Sequence, residues 1–168
     1  MKYTRSGKVE NSTFPSMFSL EDSKWMMQAL ELAEAASLNG EVPIGAVIVQ
    51  NGKKIAAEKN RMEELHSSAA HAEILAINTA GQTLKNWRLD GATLYVSLEP
   101  CQMCWGAIKN SRISRVVFAA GGQEAAEVRV KIEGGLLERE SVAILQKFFH
   151  KVRKIKGDSG SKFLSCCI

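Results

Sequence analysis

Long apolar segments are absent from this sequence. A run such as residues 44–49 is far shorter than the roughly 20 residues that an α-helix needs to cross a bilayer. Residues 1–18 carry early positive charge but no apolar stretch behind it, which argues against a secretory signal. We therefore expect a protein without membrane association, in which residues 1–18 form a flexible leader.

Cysteines are also few. The 168 residues contain four, and Cys166 and Cys167 stand near the C-terminus. This number is too small for a disulfide framework, so we expect a reducing, cytoplasmic setting.

Charge is modest overall but clustered near the end of the chain. The formal net charge is +4. Four basic residues crowd one short segment that could contact a polyanion: Lys147, Lys151, Arg153 and Lys154. Alternatively, they form the solvated end of a helix whose C-terminal dipole favours cations. Taken alone, the pattern favours the second interpretation.

Periodicity predicts alternating helices and strands. An apolar stripe follows a capping box at Ser19–Asp22 and runs to Gly40, and Asn51-Gly52 joins two strands as a hairpin turn. A helix is predicted over residues 69–80 with Gly81 as its stop. Strands are predicted at residues 92–98 and 114–120, a further candidate strand at 127–133, and a final helix after Leu137. Helices between strands imply a partly parallel sheet covered on both faces.

No repeat or linker divides the chain. We expect one domain over residues 19–156, and the polar tail 157–168 is predicted to be disordered.

Cys101 and Cys104 directly follow a predicted strand. Pro100 suits the first turn of the next helix, where the helix dipole favours thiolates. Redox dithiols also lie at helix starts, so this pair alone fits a redox role and a metal role about equally well.

His71 and Glu73 favour the metal interpretation. They stand at the start of another predicted helix, and one His with two Cys leaves a tetrahedral zinc one open position, as catalytic sites do. Water bound there becomes more acidic, and a nearby carboxylate such as Glu73 can move its proton.

A structural zinc site would need a fourth ligand. Candidates exist, but they lie in loops or near the tail without a second paired spacing: His66, His150, Cys166 and Cys167. Singly, each residue of the motif has an ordinary explanation as a packed or capping side chain. Together they form the H-x-E…P-C-x-x-C pattern of zinc-dependent nucleobase deaminases, and we interpret them as a catalytic zinc site.

Longer segments resemble a known family. "EVPIGAVIV", Asn60-Arg61, "HAEILAI", "NWRLDGATLYVSLEPCQMCWGAI" and "SRISRVVFAA" resemble bacterial tRNA adenosine deaminases of the TadA type. The similarity covers residues 25–120 and resumes at 135–153, where "FFHKVR" matches a family helix. The zinc motif alone would indicate only the wider cytidine deaminase superfamily.

The resemblance implies a cytidine-deaminase-like, three-layer αβα sandwich with a mixed sheet of five (or four) strands. It implies one zinc per subunit, a homodimer, and conversion of the wobble adenosine of a tRNA anticodon loop to inosine. His71, Cys101 and Cys104 match the zinc ligands, and Glu73 matches the proton shuttle. Asn60 and the backbone amides of Ala72 and Cys101 match groups beside the substrate. An RNA substrate would make the four basic residues phosphate contacts.

The sequence departs from the family in two places. Ser67, Ser68 and Ala69 replace an Asp-Pro-Thr segment, and the stretch after Ala120 is shorter than the family's Gly-rich loop and short helix. Because that region frames the substrate entrance in the family, two other hypotheses stay open. One is a deaminase of a free base, nucleoside or nucleotide, of guanine or cytosine type. The other is a non-catalytic zinc-stabilised module that binds RNA or a partner.

Overall fold

The computed structural model describes residues 18–121 and 130–156. The helices are α1 (Leu20–Leu38), α2 (Met62–Leu65), α3 (Ala72–Leu84), α4 (Gln102–Asn110) and α5 (Glu138–Lys156). The strands are β1 (Gly45–Gln50), β2 (Lys53–Lys59), β3 (Thr93–Leu98), β4 (Arg115–Ala120) and β5 (Lys131–Gly134).

The five strands form one mixed sheet in the order β2-β1-β3-β4-β5. β1 pairs antiparallel with both β2 and β3, whereas β3, β4 and β5 run parallel. The parallel pairs require crossovers, and α4 makes the one from β3 to β4. The mixed five-stranded sheet predicted above is therefore confirmed, including the candidate fifth strand.

Alternating side chains give the sheet two apolar faces. In β1, Ala46 and Ile48 pack with Ala76 of α3 and Ile108 of α4, while Val47 enters the opposite cluster. That second cluster contains Trp25 and Met26 of α1. The period-2 alternation of the strands thus produces the three predicted layers.

α1 lies unusually close to the sheet at Gly45. A Cβ atom added there would lie 2.1 Å from the carbonyl oxygen of Ala29 and 2.6 Å from the Cβ of Leu32. Any larger residue would push α1 away from β1, so the absence of a side chain sets this spacing.

Several predicted boundaries were wrong. The helix expected over residues 69–80 spans Ala72–Leu84, so Gly81 lies inside it, and Lys85 in the left-handed region ends it. Pro100 precedes the helix N-cap, Cys101, rather than lying in the first turn. α2 was not predicted. The expected leader and tail lie outside the described residues, apart from Phe18. Within the described part of the chain, no helix is long and apolar enough to cross a membrane.

A buried ionic cluster connects α1 to strands β3, β4 and β5. Asp22 completes the capping box with Ser19 and accepts hydrogen bonds from Tyr95 Oη at 2.8 Å and Arg115 Nη1 at 2.6 Å. Arg115 also contacts Glu133 of β5, at 2.5 Å. Burial would raise the pKa of Asp22, but the hydrogen bonds from Arg115, Ser19 and Tyr95 outweigh it and hold the pKa well below its usual value.

We expect Arg115→Met to lower the free energy of unfolding by about 3 kcal/mol at pH 7, because the buried carboxylate of Asp22 loses its cation and Glu133 keeps only the exposed Lys131. Since the folded-state pKa of Asp22 lies below its unfolded value of 3.8, this contribution is present above pH 3.8 and is lost as the pH falls below it. Denaturant unfolding across pH 3–7 would measure it. Arg139→Met, at an exposed position on α5, is the control. An equal loss at every pH would contradict the prediction.

Candidate active site

Two helices begin side by side on one face of the sheet. His71 is the N-cap of α3 and Cys101 the N-cap of α4. Both helices pack against the cluster that contains Ala46 and Ile48. Neither N-cap side chain makes a capping hydrogen bond to its own helix.

His71, Cys101 and Cys104 form a compact cluster, and in the described residues it is the only group of at least three such side chains close enough to hold a metal ion. The two Sγ atoms lie 3.6 Å apart, and His71 Nδ1 lies 3.7 Å from Cys101 Sγ and 3.5 Å from Cys104 Sγ.

These distances fit a tetrahedral zinc. Zn–S bonds of about 2.3 Å and Zn–N bonds of about 2.0–2.1 Å give tetrahedral edges of about 3.8 Å between sulfurs and about 3.6 Å between sulfur and nitrogen. Each observed edge agrees within a few tenths of an ångström. The donor set and its spacing therefore suit zinc.

The two other histidines are not part of this cluster. His66 is the exposed C-cap of α2, and His150 is exposed on α5. Cys166 and Cys167 lie outside the described residues. Three protein donors leave one tetrahedral position open to water or substrate.

Glu73 lies in the first turn of α3 and is 2% exposed. Burial raises the pKa of its carboxyl, and the contact with Cys104 and its own backbone amide act in the opposite direction. Its Oε2 is buried without a hydrogen-bond partner. A carboxyl with an unused oxygen and a raised pKa beside three metal-type donors is suited to proton transfer.

The two thiols differ in ionisation. Contacts with Cys104 and then His71 lower the pKa of Cys101 to about 3. The hydrogen bond to Cys101, together with burial, raises the pKa of Cys104. The hydrogen bond with Cys101 likewise raises the pKa of His71. Without metal, the cluster thus favours a thiolate at Cys101 and a protonated thiol at Cys104.

Asn60 and Ala72 flank this cluster. Asn60 directly follows β2 and is 1% exposed, and the backbone N–H of Arg61 donates to Ala70 O at 3.1 Å. This bond brings the residue after Asn60 beside the residue before His71. Ala72 is the first residue of α3, so its backbone amide lies at the positive end of the helix. The residue is fully buried.

The basic residues Lys147, Lys151, Arg153 and Lys154 are all exposed on α5. The ion pairs between described residues do not involve them. Ser141, near the start of α5, donates to Ser97 O at 2.5 Å in β3. At 1.5 Å per residue, the basic positions lie about 9–20 Å further along the helix axis. The structure does not bring them into the cluster.

One buried residue in this region was not predicted from the sequence. Glu41 is 1% exposed, and its carboxylate bonds to Asn60 and to the first turn of α2. The available signal was a charged residue between Gly40 and an apolar segment, a position that is equally typical of a surface loop.

Comparisons with known proteins agree with this geometry. The family model described as MafB19-like deaminase matches residues 20–153. A tRNA-specific adenosine deaminase of Bacillus subtilis is 43% identical over 150 residues, which is 81% of this chain and 93% of that protein. One of Buchnera aphidicola is 42% identical over 150 residues, 82% of this chain and 99% of that protein.

Solved structures give the same fold. A structure from a study of A-to-I editing by tRNA:A34 deaminases superposes with a TM-score of 0.70 at 39% identity, covering 73% of this chain and 99% of the other. A guanine deaminase from Nitrosomonas europaea reaches 0.69 at 29% identity, covering 75% and 83%.

A sheet of this topology, with a His/Cys/Cys cluster between two helix starts, defines the deaminase class. Within that class, the chain belongs to the tRNA-specific adenosine deaminase family. The resemblance noted from the sequence is therefore confirmed, as is the cytidine-deaminase-like fold.

Zinc binding to the metal-free protein should release protons. Because the pKa of the Cys104 thiol is raised when no metal is bound, that thiol keeps its proton at neutral pH and must release it when the metal binds, and the raised pKa of His71 adds to the release. Apparent zinc affinity should therefore rise with pH. Calorimetry in buffers of different ionisation enthalpy should report about one to two protons released per zinc at pH 7. A pH-independent affinity would contradict this prediction.

Proposed function

We propose that this protein is a zinc-dependent hydrolytic deaminase that converts adenosine to inosine at the wobble position of tRNA. The observation that carries the proposal is the three-donor cluster with zinc spacing beside the buried, unpartnered Oε2 of Glu73. Its occurrence in a chain 43% identical to a tRNA-specific adenosine deaminase supports the choice of substrate.

His71, Cys101 and Cys104 would hold one zinc per subunit. When bound there, zinc supplies an open coordination position at which water becomes acidic enough to ionise near neutral pH. Glu73 would take one proton of the attacking water at Oε2 and pass it to the ring nitrogen of the purine, and would then take the remaining proton of the added hydroxyl and pass it to the departing amine. Overall, water adds at the amino-bearing carbon, the C–N bond breaks, and ammonia leaves.

The remaining site residues bind and orient the base. The backbone amides of Ala72 and Cys101, at two helix starts, suit developing negative charge beside the reacting carbon. Asn60 provides a buried amide for the nucleoside. In RNA the target base must leave its stack to enter such a site, which an anticodon loop allows more easily than a duplex does.

Residues 19–156 form the proposed catalytic domain, and we propose that it acts in the cytoplasm as a homodimer. The face between α3 and α4 supports self-association, because apart from Lys85 the side chains that line it are uncharged. These residues include Ile77, Gln82, Ala107 and Asn110, and Trp87 at its edge is 61% exposed. Interface cores are similarly poor in charge.

A deaminase of a free base is the second candidate, favoured by the similarity to a guanine deaminase at 29% identity. A non-catalytic zinc module is less well supported. Such a module would have no use for Glu73, whose burial without a partner at Oε2 costs stability.

A substrate panel tests the proposal. Zinc-loaded protein is incubated with an anticodon stem-loop with adenosine at the wobble position, and with adenosine, adenine, guanine, cytosine and cytidine. We expect inosine in the stem-loop and little ammonia from the small substrates. Activity on a free base with none on RNA would transfer the assignment to the second candidate.

Glu73→Ala controls for the chemistry in that panel. We expect it to keep zinc and fold but to lower kcat by at least about 100-fold. Glu34→Ala, at an exposed position on α1, should be unaffected. Unchanged turnover in Glu73→Ala would rule out the proposed proton transfer.

Binding of the stem-loop should weaken as salt increases, because phosphate contacts release counterions. If α5 contacts phosphates, Lys151→Gln should reduce the slope of log K against log salt by about 1. Lys53→Gln, at the β1–β2 hairpin, is the matched control. Equal slopes for the two variants would leave the basic residues as a solvated helix end.

A further inference from the structure

The buried carboxylate of Glu41 collects three N–H donors. Oε2 accepts from Asn60 Nδ2 at 3.3 Å and from the backbone of Glu63 at 3.2 Å, and Oε1 accepts from the backbone of Glu64 at 2.8 Å. Glu41 is thus fully engaged between the segment after α1, the end of β2 and the first turn of α2. Such hydrogen bonds to a carboxylate are stronger than those between neutral groups.

This contact determines the orientation of the Asn60 amide. A carboxylate only accepts hydrogen bonds, whereas an amide has one donating and one accepting end. Asn60 must therefore turn Nδ2 towards Glu41, and its Oδ1 points away from that carboxylate. Backbone bonds hold the residue itself, because Asn60 N donates to Ile44 O at 2.9 Å and Arg61 N donates to Ala70 O.

The side-chain oxygen of Asn60, which points away from Glu41, is left without a hydrogen-bond partner. Asn60 Oδ1 is buried and has no hydrogen bond, although the residue is only 1% exposed. Leaving a buried acceptor unpaired costs about 1–3 kcal/mol, so an amide free to rotate would not hold this arrangement by itself. Glu41 supplies the constraint, and a bound ligand would supply the missing donor.

We propose that Glu41 is a positioning residue that holds the Asn60 amide with Oδ1 presented to the substrate as a hydrogen-bond acceptor. Substrates with an N–H or O–H at that point are favoured. In adenosine these donors are the exocyclic amino group and the ribose hydroxyls. The identity of the substrate rests on the function proposed above, but the orientation of the amide does not.

Exchanging donor and acceptor between the two residues tests this proposal. In Glu41→Gln, the new amide keeps its oxygen on the backbone N–H of Glu64 and offers NH₂ to Asn60, which then rotates and presents Nδ2 to the site. The N–H of Glu63, which shares Oε2 with Asn60, loses its acceptor in this variant and in the double variant alike, so that loss cancels when the two are compared. In Asn60→Asp, two carboxylates face each other. In the double variant, the amide introduced at position 41 donates to the carboxylate introduced at position 60, whose other oxygen again faces the site as an acceptor.

We expect each single variant to lower kcat/KM by about 10- to 100-fold. The double variant should recover at least about tenfold over the weaker single variant. It should also recover the melting temperature that Asn60→Asp loses through carboxylate repulsion. Zinc content and circular dichroism check that each variant folds, and Glu34→Gln controls for loss of a carboxylate elsewhere.

The outcomes separate the two proposals. Losses in kcat/KM that simply multiply, or a double variant that recovers melting temperature without kcat/KM, would overturn the positioning role, since the contact would then be structural only. The cycle uses whichever panel substrate the wild type converts. Rescue on a free base therefore supports the role of Glu41 while contradicting the tRNA assignment. A wild type inactive on every panel member contradicts both proposals.

Discussion

The meeting of two helix starts is the constraint on which the structure depends. His71 at the N-cap of α3 and Cys101 at the N-cap of α4 must come within a few ångströms of each other, although the chain between them includes a helix and a strand. Packing both helices on the same sheet face achieves this, with Ala76 and Ile108 in one apolar cluster. Hydrophobic burial therefore sets the distances between the candidate metal ligands.

Buried polar groups then form specific contacts between elements that apolar packing alone does not determine. Asp22 and Arg115 connect α1 to β4 on one face, and Glu41 connects the end of α1 to Asn60 and α2. Each of these carboxylates has several donors, as buried charges require. The first contact stabilises the scaffold, whereas the second lies beside the candidate site.

Order and type of the long elements were predictable because their periodicity is strong, and the cluster was predictable because its residue types are rare. Boundaries failed where tertiary contacts decide. α3 continues through Gly81 and ends at Lys85, which adopts a positive φ without any local signal. α2 has only four residues, none of them buried, and Glu41, distant in sequence, holds its first turn. Pairings of this kind leave no pattern in the sequence nearby.

The hydrogen bond from Arg61 N to Ala70 O has a consequence for how this chain can vary. It closes the segment between Asn60 and His71 at its base, and inside that segment the first turn of α2 holds Glu41, which contacts Asn60. Ser67, Ser68 and Ala69 lie inside this closed segment, after the turn of α2. The bond at the base therefore separates changes at these three positions from the candidate metal ligands.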